Sequence, residues 1–318
     1  MRILVTGGVG YIGSHTCHKL CENGYEVVIY DSLENGHKEN VPKKAKLIVG
    51  NLSDIKTLES CFKEKIDGVI HFAGYIGAGE SMTDPLRFFE NNISNGLNLL
   101  KTMLKHNVKN IVFSSSAAVY GQPRKLPIVE NTKKEPTNYY GLTKLMFEQI
   151  LDSCKVYGIN SIALRYFNAA GAGFGIGEDH NPETHLIPLI LKAAIEDKEI
   201  KVFGTNYNTK DGSCVRDYIH VLDLAEAHIV ALKSLDKGIT GKFNVGTGVG
   251  ASVFEVIKKC EDVTCKKIKI KCCKKRPGDP AELVADVSKI NKELSWHAKL
   301  TLTDIIKSAW NWHKNKYK

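Results

Sequence analysis

The sequence lacks any long apolar run: no stretch of its 318 residues approaches the ~18 apolar residues that a membrane span needs. Internal repeats and low-complexity tracts are also missing. A composition of 43% apolar and 25% charged residues excludes a disordered or fibrous chain and fits a globular protein with a sizeable core. Met1-Arg2 leads directly into the strand-like Ile3–Val5, which leaves no room for a signal peptide, so we expect a cytoplasmic protein.

Paired cysteine motifs are missing as well. The nine cysteines are an odd number and are scattered, which does not suit a disulfide framework in a chain of this length. The spacing of the last four does not match the Cys-x-x-Cys hooks of zinc sites; these are Cys260, Cys265, Cys272 and Cys273. We therefore expect reduced thiols and no metal site.

Acidic residues are outnumbered, 35 against 44 basic ones, which gives a formal net charge of +9. Nine basic and two acidic residues lie between Lys258 and Arg276, so this segment alone supplies a net +7. No helix-turn-helix, zinc-finger or aromatic RNA-binding signature accompanies it, and we expect no nucleic-acid partner. Its lysines alternate with Ile268, Ile270 and Cys272, a pattern typical of a half-buried strand with a wet face.

The first half of the chain alternates β-rich runs with longer helical patterns, which is typical of a parallel sheet with crossover helices. We predict strands at Arg2–Thr6, Glu26–Tyr30, Lys46–Val49, Gly68–Phe72, Asn110–Ser115 and Ser161–Tyr166. We predict helices near Tyr11–Asn23, Asp54–Lys65, Asp84–His106 and Tyr139–Tyr157. Because several strands are apolar almost throughout, we expect an α/β fold of the Rossmann type, a doubly wound parallel sheet.

The pattern changes after Asn168, where a Gly- and Ala-rich stretch is followed by shorter elements. We therefore expect a dinucleotide-binding domain over residues 1–168 and a smaller α/β substrate domain over residues 169–318, with some later segments returning to the first domain. Helices of the second half are expected near His185–Asp197, Leu222–Ser234, Val253–Cys260, Val287–Leu294 and Leu302–Lys314.

A glycine motif, Thr6-Gly-Gly-Val-Gly-Tyr-Ile-Gly13, joins the first strand to the first helix. Gly7, Gly10 and Gly13 permit a tight turn, close approach of the backbone to a pyrophosphate and tight packing of helix against strand, while the helix N-terminus offers N–H donors. Asp31 ends the second strand 18 residues after Gly13, where a carboxylate can accept hydrogen bonds from ribose hydroxyls and repel a 2′-phosphate. The motif therefore predicts NAD rather than NADP.

Tyr140 and Lys144 stand four residues apart, on one face of a predicted helix. The strand before it ends in Ser114-Ser115-Ser116, whose hydroxyls should open into the ligand crevice of this architecture. A nearby lysine cation, together with a positively charged nicotinamide, would favour the phenolate of a tyrosine and make it a general base.

These motifs resemble those of the extended short-chain dehydrogenase/reductase superfamily. Longer segments resemble the UDP-glucose 4-epimerase family over nearly the whole chain: VTGGVGYIGSHTC (Val5–Cys17), HFAG (His71–Gly74), GESM (Gly79–Met82), Asn91-Asn92, FSSSAAVYG (Phe113–Gly121), LRYFNAAG (Leu164–Gly171), DGSCVRDYIHVLD (Asp211–Asp223) and RPGD (Arg276–Asp279). The resemblance implies interconversion of UDP-galactose and UDP-glucose with a tightly held NAD. It implies that Tyr140 takes the proton of the sugar 4-OH, Ser116 hydrogen-bonds that hydroxyl, and Lys144 lowers the tyrosine pKa and holds the nicotinamide ribose.

The resemblance also implies two sets of binding residues. Cofactor positions are Gly7, Gly10, Tyr11, Ile12, Gly13, Asp31, Asn35, Asn51, Leu52, Phe72, Ala73, Gly74, Asn92, Ser114, Tyr140, Lys144 and Phe167. For Leu52 and Phe72, packing in the core is an alternative reading. Substrate positions are Ser116, Tyr140, Asn168, His185, Leu186, Val202, Phe203, Arg216, Arg276 and Asp279.

Three positions depart from the family pattern. Asn51 stands where many members have an aspartate, Ile76 where many have a lysine, and Leu283 at the gatekeeper position for N-acetylated sugars. UDP-GlcNAc/UDP-GalNAc and UDP-glucuronate therefore stay open as alternative substrates.

A homodimer, paired through the predicted helices at Asp84–His106 and Tyr139–Tyr157, is also implied by the resemblance.

Two other functions compete with epimerisation. A nucleotide-sugar 4,6-dehydratase also oxidises C4, but it needs an acid/base pair beside the strand-tip hydroxyl, where this chain has Ala117-Ala118. A regulator that senses NAD without catalysis would be expected to lack Tyr140, Lys144 or Ser116, and all three are present.

Overall fold

The structure is a computed structural model that describes residues 1–276 and 278–316. The chain divides into two compact units, of which the first contains Met1–Gly121, Lys133–Tyr166 and Ala225–Phe243, and the second contains Gln122–Thr132, Phe167–Leu224 and the described part of Asn244–Lys318. The single boundary expected at residue 168 falls close to one crossing of the chain. In the structure, however, Gln122–Thr132 belongs to the second unit, because that segment pairs with later residues: the Ile128 N–H donates to the Val284 carbonyl at 2.8 Å.

Thirteen strands are described. They are β1 (Arg2–Thr6), β2 (Glu26–Asp31), β3 (Lys46–Val49), β4 (Gly68–His71), β5 (Asn110–Ser116), β6 (Asn160–Tyr166), β7 (Asn168–Ala170), β8 (Glu199–Phe203), β9 (Val215–His220), β10 (Gly241–Val245), β11 (Gly250–Ser252), β12 (Lys269–Cys273) and β13 (Glu282–Leu283).

Eleven α-helices are described. They are α1 (Tyr11–Glu22), α2 (Ile55–Ser60), α3 (Ala78–Thr83), α4 (Pro85–Phe89), α5 (Asn95–Lys105), α6 (Tyr139–Ser153), α7 (Leu186–Glu196), α8 (Val221–Leu235), α9 (Val253–Thr264), α10 (Ser288–Leu294) and α11 (Leu302–Lys316).

A seven-stranded sheet in the order β10-β6-β5-β4-β1-β2-β3 forms the centre of the first unit. Neighbours from β6 to β3 pair in parallel. Ile3, Leu4 and Val5 of β1 are fully buried, as expected of a central strand covered by helices on both faces. The strand order reverses direction beside β1, so the carboxyl ends of β1 and β4 frame the crevice where such sheets bind ligands.

The second unit is built around β9, which pairs with β7 and β13 in parallel and with β11 antiparallel. Its core contains apolar residues of α7, α9 and α11 that pack together, including Ile190, Val256 and Ile305. A separate pair, β8 and β12, is parallel.

Several elements differ from their predicted form. Helix α2 ends at Ser60 rather than near Lys65, and the predicted helix at Asp84–His106 consists of α4, a wider π-helical stretch (Glu90–Ser94) and α5. Strand β12 is not half-buried as predicted, since Ile270 and Cys272 are exposed. Its only described partner strand is β8, and of the alternating apolar residues only Ile268, just before the strand, reaches the core.

In the part of the chain that the structure describes, no helix combines the length and apolar character required to cross a membrane. All nine cysteines lie in this part, and all are free thiols.

Candidate active site

The glycine loop between β1 and α1 is closed by backbone contacts that leave no room for side chains. Gly7 has a φ of 71°, and a Cβ there would lie 2.6 Å from the Ala73 nitrogen. A Cβ at Gly13 would lie 2.1 Å from the Gly7 carbonyl oxygen. Among the described residues, no side chain caps α1, whose N-cap is Gly10, so its first N–H groups point out of the helix as donors. This is the geometry of an anion site.

Asp31 ties the end of β2 to this loop. Its carboxylate accepts hydrogen bonds from the Val9 N–H at 3.1 Å and the Leu33 N–H at 2.9 Å. Burial raises the pKa of Asp31, and the two backbone hydrogen bonds oppose that rise. The carboxylate thus stands beside the loop, where it can accept hydrogen bonds from a ribose. The glycine cradle, the uncapped helix and Asp31 together fit NAD.

The other predicted cofactor residues of the first unit follow β2, β3 and β4 or lie on helices. Asn92 is buried; its side chain accepts from the Tyr75 N–H at 2.8 Å and donates to the Thr143 hydroxyl at 3.0 Å. A Cβ at Gly74 would lie 3.1 Å from the Asn92 side-chain oxygen, so these two positions adjoin. Leu52 is a core residue, and Asn35, Tyr11, Ile12, Asn51, Phe72 and Ala73 are exposed or partly exposed.

Ser116, Tyr140 and Lys144 meet as predicted from their spacing. Ser116 ends β5, its Oγ accepts a hydrogen bond from the Ala118 N–H at 3.1 Å, and it is close enough to the Tyr140 phenol to influence the pKa of that group. Asn138 caps α6 by accepting from the Gly141 N–H at 2.8 Å, which fixes the first turn that carries Tyr140. Lys144 lies one turn further, where its Nζ donates to the Ser114 carbonyl at 2.8 Å and stands 5.8 Å from the centre of the Tyr140 ring.

Burial dominates the titration of this group. It raises the pKa of Tyr140, and the Ser116 side chain offsets part of the rise. It lowers the pKa of Lys144 to about 8, because the buried ammonium is poorly solvated. In the chain itself the phenol is thus made less acidic, and the expected lowering of its pKa stays a prediction for the NAD-bound state.

The predicted substrate residues of the second unit lie mainly on and around β9. Asn168 stands opposite Tyr218, and its side chain donates to the Asp217 carbonyl at 3.3 Å. Arg216 donates to the Val215 carbonyl at 2.8 Å and stands opposite Leu283 of β13. Leu283 therefore adjoins the predicted phosphate ligand.

Arg276 and Asp279 form a pair, with the guanidinium Nε donating to the carboxylate at 2.8 Å. The guanidinium also lies over the Phe203 ring, 5.0 Å from its centre. Phe203 and Arg276 are therefore neighbours, as their predicted role requires. Val202 is fully buried in the core of the second unit, so its side chain serves packing. Phe167, a predicted cofactor residue, is also buried and belongs to the second unit.

His185 and Leu186 begin α7, and His185 lies in a charged cluster that was not predicted. Its Nδ1 is 2.9 Å from a Glu178 oxygen and 3.0 Å from a Glu183 oxygen. Burial lowers the pKa of His185, but the two carboxylates outweigh it and raise the value to about 10. The local spacing Glu-x-His-x-x-Glu-x-His, residues 178 to 185, is the sequence signal for this cluster.

A buried ion pair holds the catalytic helix against the sheet and was also not predicted. Arg165 of β6 donates to Glu148 of α6 at 2.8 Å through Nε and to the Tyr120 hydroxyl at 2.9 Å. Ser115 donates to the same carboxylate at 2.6 Å. Because a buried charge needs a partner, these contacts fix α6 relative to β5 and so position Tyr140. Nothing in the sequence spacing links Glu148 to Arg165.

The model of the NAD dependent epimerase/dehydratase family matches residues 3–246, and the chain belongs to that family. It is 47% identical to the UDP-glucose 4-epimerase of Halalkalibacterium halodurans, over 99% of this chain and 96% of the relative. The resemblance to UDP-glucose 4-epimerases, predicted from the motifs, is thereby confirmed.

Solved structures agree with this assignment. The UDP-glucose 4-epimerase from Brucella ovis in complex with NAD superposes with a TM-score of 0.94 at 39% identity, covering 98% of this chain and 97% of that chain. The enzyme from Bifidobacterium longum in complex with NAD+ and UDP gives a TM-score of 0.93 at 42% identity, covering 100% and 99%. The predicted doubly wound α/β fold is confirmed.

Proposed function

We propose that the chain is an NAD-dependent epimerase that inverts C4 of a UDP-hexose, interconverting UDP-galactose and UDP-glucose through a transient 4-keto sugar. The observation that carries this is the convergence of Tyr140 with the buried Lys144 one helical turn away, whose Nζ lies 5.8 Å from the centre of the Tyr140 ring, beside the end of β5 that carries Ser116. A UDP-glucose 4-epimerase relative that aligns over 99% of the chain supports the same reaction.

The chain supplies the proton transfers of this reaction. Bound NAD supplies the acceptor for the C4 hydride and its donor for the return. Tyr140 accepts the proton of the sugar 4-OH and later gives it back, while the Ser116 hydroxyl hydrogen-bonds the same oxygen and orients it. Lys144, whose Nζ lies 5.8 Å from the centre of the Tyr140 ring, places a positive charge on the same helix face, and we propose that this charge favours the phenolate when NAD is bound.

We propose that the second unit binds the UDP moiety. The guanidinium groups of Arg216 and Arg276 offer planar forks to the two phosphates, and Asp279 accepts hydrogen bonds from the uridine ribose. Because Arg276 and Asp279 already pair, the guanidinium is oriented before the nucleotide arrives. Strong contacts to UDP and weak contacts to the hexose would let the 4-keto sugar turn over and present its opposite face.

Dehydration at C5–C6 is the reaction that this scaffold would otherwise support. It requires a proton donor and acceptor beside Ser116, and the next two residues are Ala117, which is buried, and Ala118. Alanine cannot transfer protons, so these positions favour epimerisation.

We further propose a homodimer in a reducing compartment, the cytoplasm. Large apolar side chains are exposed in α4, where Leu86 is 77% exposed, and just beyond α6, where Val156 is 80% exposed. These side chains lie on or next to the helices by which the family resemblance implies pairing, which supports the proposed dimer. The exposed thiols of Cys265 and Cys272 fit a compartment that keeps cysteines reduced. Light scattering should give twice the chain mass at micromolar concentration; a monomer would contradict the dimer.

An assay with several substrates side by side tests the reaction. Purified protein should release NAD on denaturation and convert UDP-galactose to UDP-glucose without added reductant. UDP-GalNAc and UDP-glucuronate, measured under the same conditions, define what Leu283 admits. A 4-keto-6-deoxy product would instead identify a dehydratase, and no turnover of any of the three would overturn the proposal.

A further inference from the structure

Four side chains with metal-binding atoms converge in the segment that leads into α7. Glu178, His180, Glu183 and His185 each contribute one such atom, and the four atoms lie within 4.8 Å of one another. The His185 Nδ1 is 2.9 Å and 3.0 Å from the two carboxylates, and the His180 Nδ1 is 3.4 Å and 3.8 Å from them. None of the proton transfers assigned to the epimerase uses this group.

These separations are close to those of a tetrahedral metal site. With metal–ligand distances of about 2.0–2.2 Å, neighbouring ligand atoms around a tetrahedral ion lie ~3.3–3.5 Å apart. Three His–Glu distances, 2.9, 3.0 and 3.4 Å, run to one oxygen of each glutamate, the fourth, 3.8 Å, runs to the other Glu183 oxygen, and one ligand atom from each residue fits within 4.8 Å of the rest. An ion at the centre would therefore draw the four side chains together from separations of at most 4.8 Å.

Burial gives a second, independent indication. Glu178 is 5% exposed, and its Oε2 has no hydrogen-bond partner among the described residues. A buried carboxylate oxygen without a partner is costly, and a cation would compensate for it. The pairing of both histidines through Nδ1 with the same two carboxylates already brings all four groups to one point.

Helix α11 holds this segment in place. The Trp312 indole donates to the Gly175 carbonyl at 3.0 Å, and its ring lies 2.3 Å from the position of a Cβ at Gly177. Lys316, one turn further along α11, forms an ion pair with Asp179. The residues between Gly175 and Asp179 are thus fixed before any ion binds, which reduces the ordering that binding would require.

We propose that Glu178, His180, Glu183 and His185 bind one divalent transition-metal ion, with Zn²⁺ as the ion that this tetrahedral set of donors favours. Imidazole and carboxylate donors suit such ions, and the two carboxylates balance the charge of the ion. Each imidazole binds in its neutral form, so its proton passes to water. Four protein ligands fill the coordination sphere, which makes the site structural: it secures the start of α7, where His185 is the N-cap.

Zinc titration of the full-length protein tests this proposal. After treatment with a chelator, calorimetry with Zn²⁺ alone should show one site per chain, and Zn²⁺ should raise the melting temperature. His180→Gln and Glu183→Gln should each weaken binding at least tenfold. His297→Gln, which changes an exposed histidine, is the matched control and should bind like the unchanged protein. Equal affinity in His180→Gln, or no saturable site in the unchanged protein, would overturn the proposal.

Cobalt spectroscopy of the unchanged protein shows which side chains bind the ion, without relying on any variant. Co²⁺ bound to the unchanged protein should give the visible bands of a tetrahedral ion without thiolate charge-transfer absorption. Thiolate bands would place the ion on cysteines such as Cys265 and Cys272, which are exposed, and would overturn the assignment. Circular dichroism and NAD retention of the two variants show whether a loss of binding reflects unfolding.

Discussion

The two nucleotide regions of this chain are built in different ways. The glycine loop of the first unit is shaped by backbone atoms, with a Cβ at Gly7 or Gly13 blocked by the chain itself. The predicted phosphate ligands of the second unit are long side chains; Arg276 is 59% exposed and is oriented by Asp279. The first region should therefore be sensitive to the size of a side chain, and the second to its charge and hydrogen-bonding geometry.

Removing the Tyr140 hydroxyl should largely abolish catalysis while leaving nucleotide binding in both regions intact. Tyr140→Phe should reduce kcat by about 10²–10⁴-fold, because the general base is lost while the ring still packs. NAD content, measured after denaturation, and the Kd for UDP should stay unchanged. Near-normal turnover would remove Tyr140 from its assigned role.

Adding one methyl group should distinguish a blocked glycine from an open one. Gly7→Ala should abolish NAD retention and destabilise the fold, since its Cβ meets the Ala73 nitrogen. Gly24 has a similar positive φ of 79°, and no described atom lies within 4 Å of its Cβ position, so Gly24→Ala should cost only about 1–2 kcal/mol. Chemical denaturation and NAD content measure both; equal losses in the two variants would show that φ, not space, limits the loop.

The charge of Lys144 should set the alkaline limit of activity. With a pKa lowered to about 8, the ammonium loses its proton above that pH, so kcat/KM should fall about tenfold per pH unit there. Tyr140 has the opposite requirement, because the phenol must lose its proton to act as a base. Lys144→Arg keeps its charge throughout this range and should move the fall to higher pH. An unchanged alkaline limb in that variant would assign the limb to another group.

Replacing Arg276 of the second unit by lysine keeps the positive charge. We expect this substitution to have the smallest effect on activity of those considered, controls aside. Arg276→Lys preserves the charge but loses the planar fork, so KM for UDP-galactose should rise several-fold with little change in kcat. Arg124→Lys, at an exposed position in the same unit, is the control and should behave like the unchanged enzyme. A fall in kcat alone for Arg276→Lys would place Arg276 at the chemical step instead.

The sequence predicts what local patterns encode. Strands β1 and β3 have the predicted bounds, because apolar runs end at turn-forming residues, and the i, i+4 spacing places Tyr140 and Lys144 on one helix face. Contacts between distant segments were not predictable. The Glu148–Arg165 pair joins α6 to β6, and nothing in either segment specifies the other.

The burial of a strand and the presence of a metal site depend on different kinds of information. The alternation of lysines with Ile268, Ile270 and Cys272 indicated a half-buried strand, and the segment does form β12, but burial depends on which elements cover a strand, and the alternation cannot specify that. The expectation of no metal site rested on cysteine spacing alone and stays an expectation; the histidine and glutamate spacing of residues 178 to 185, on which the proposed zinc site rests, is local and visible in the sequence.

Strand β12 has a consequence for how the protein behaves in a crowded solution. Its pairing with β8 leaves an open edge in the described chain, and Ile270 beside it is exposed. An open edge of this kind is a template on which another chain can add a strand and begin to aggregate. Lys269 and Lys271 flank Ile270 on that strand. Their charges would have to be buried or brought against those of a second copy, so the lysines that dominate the net charge protect the edge against self-association.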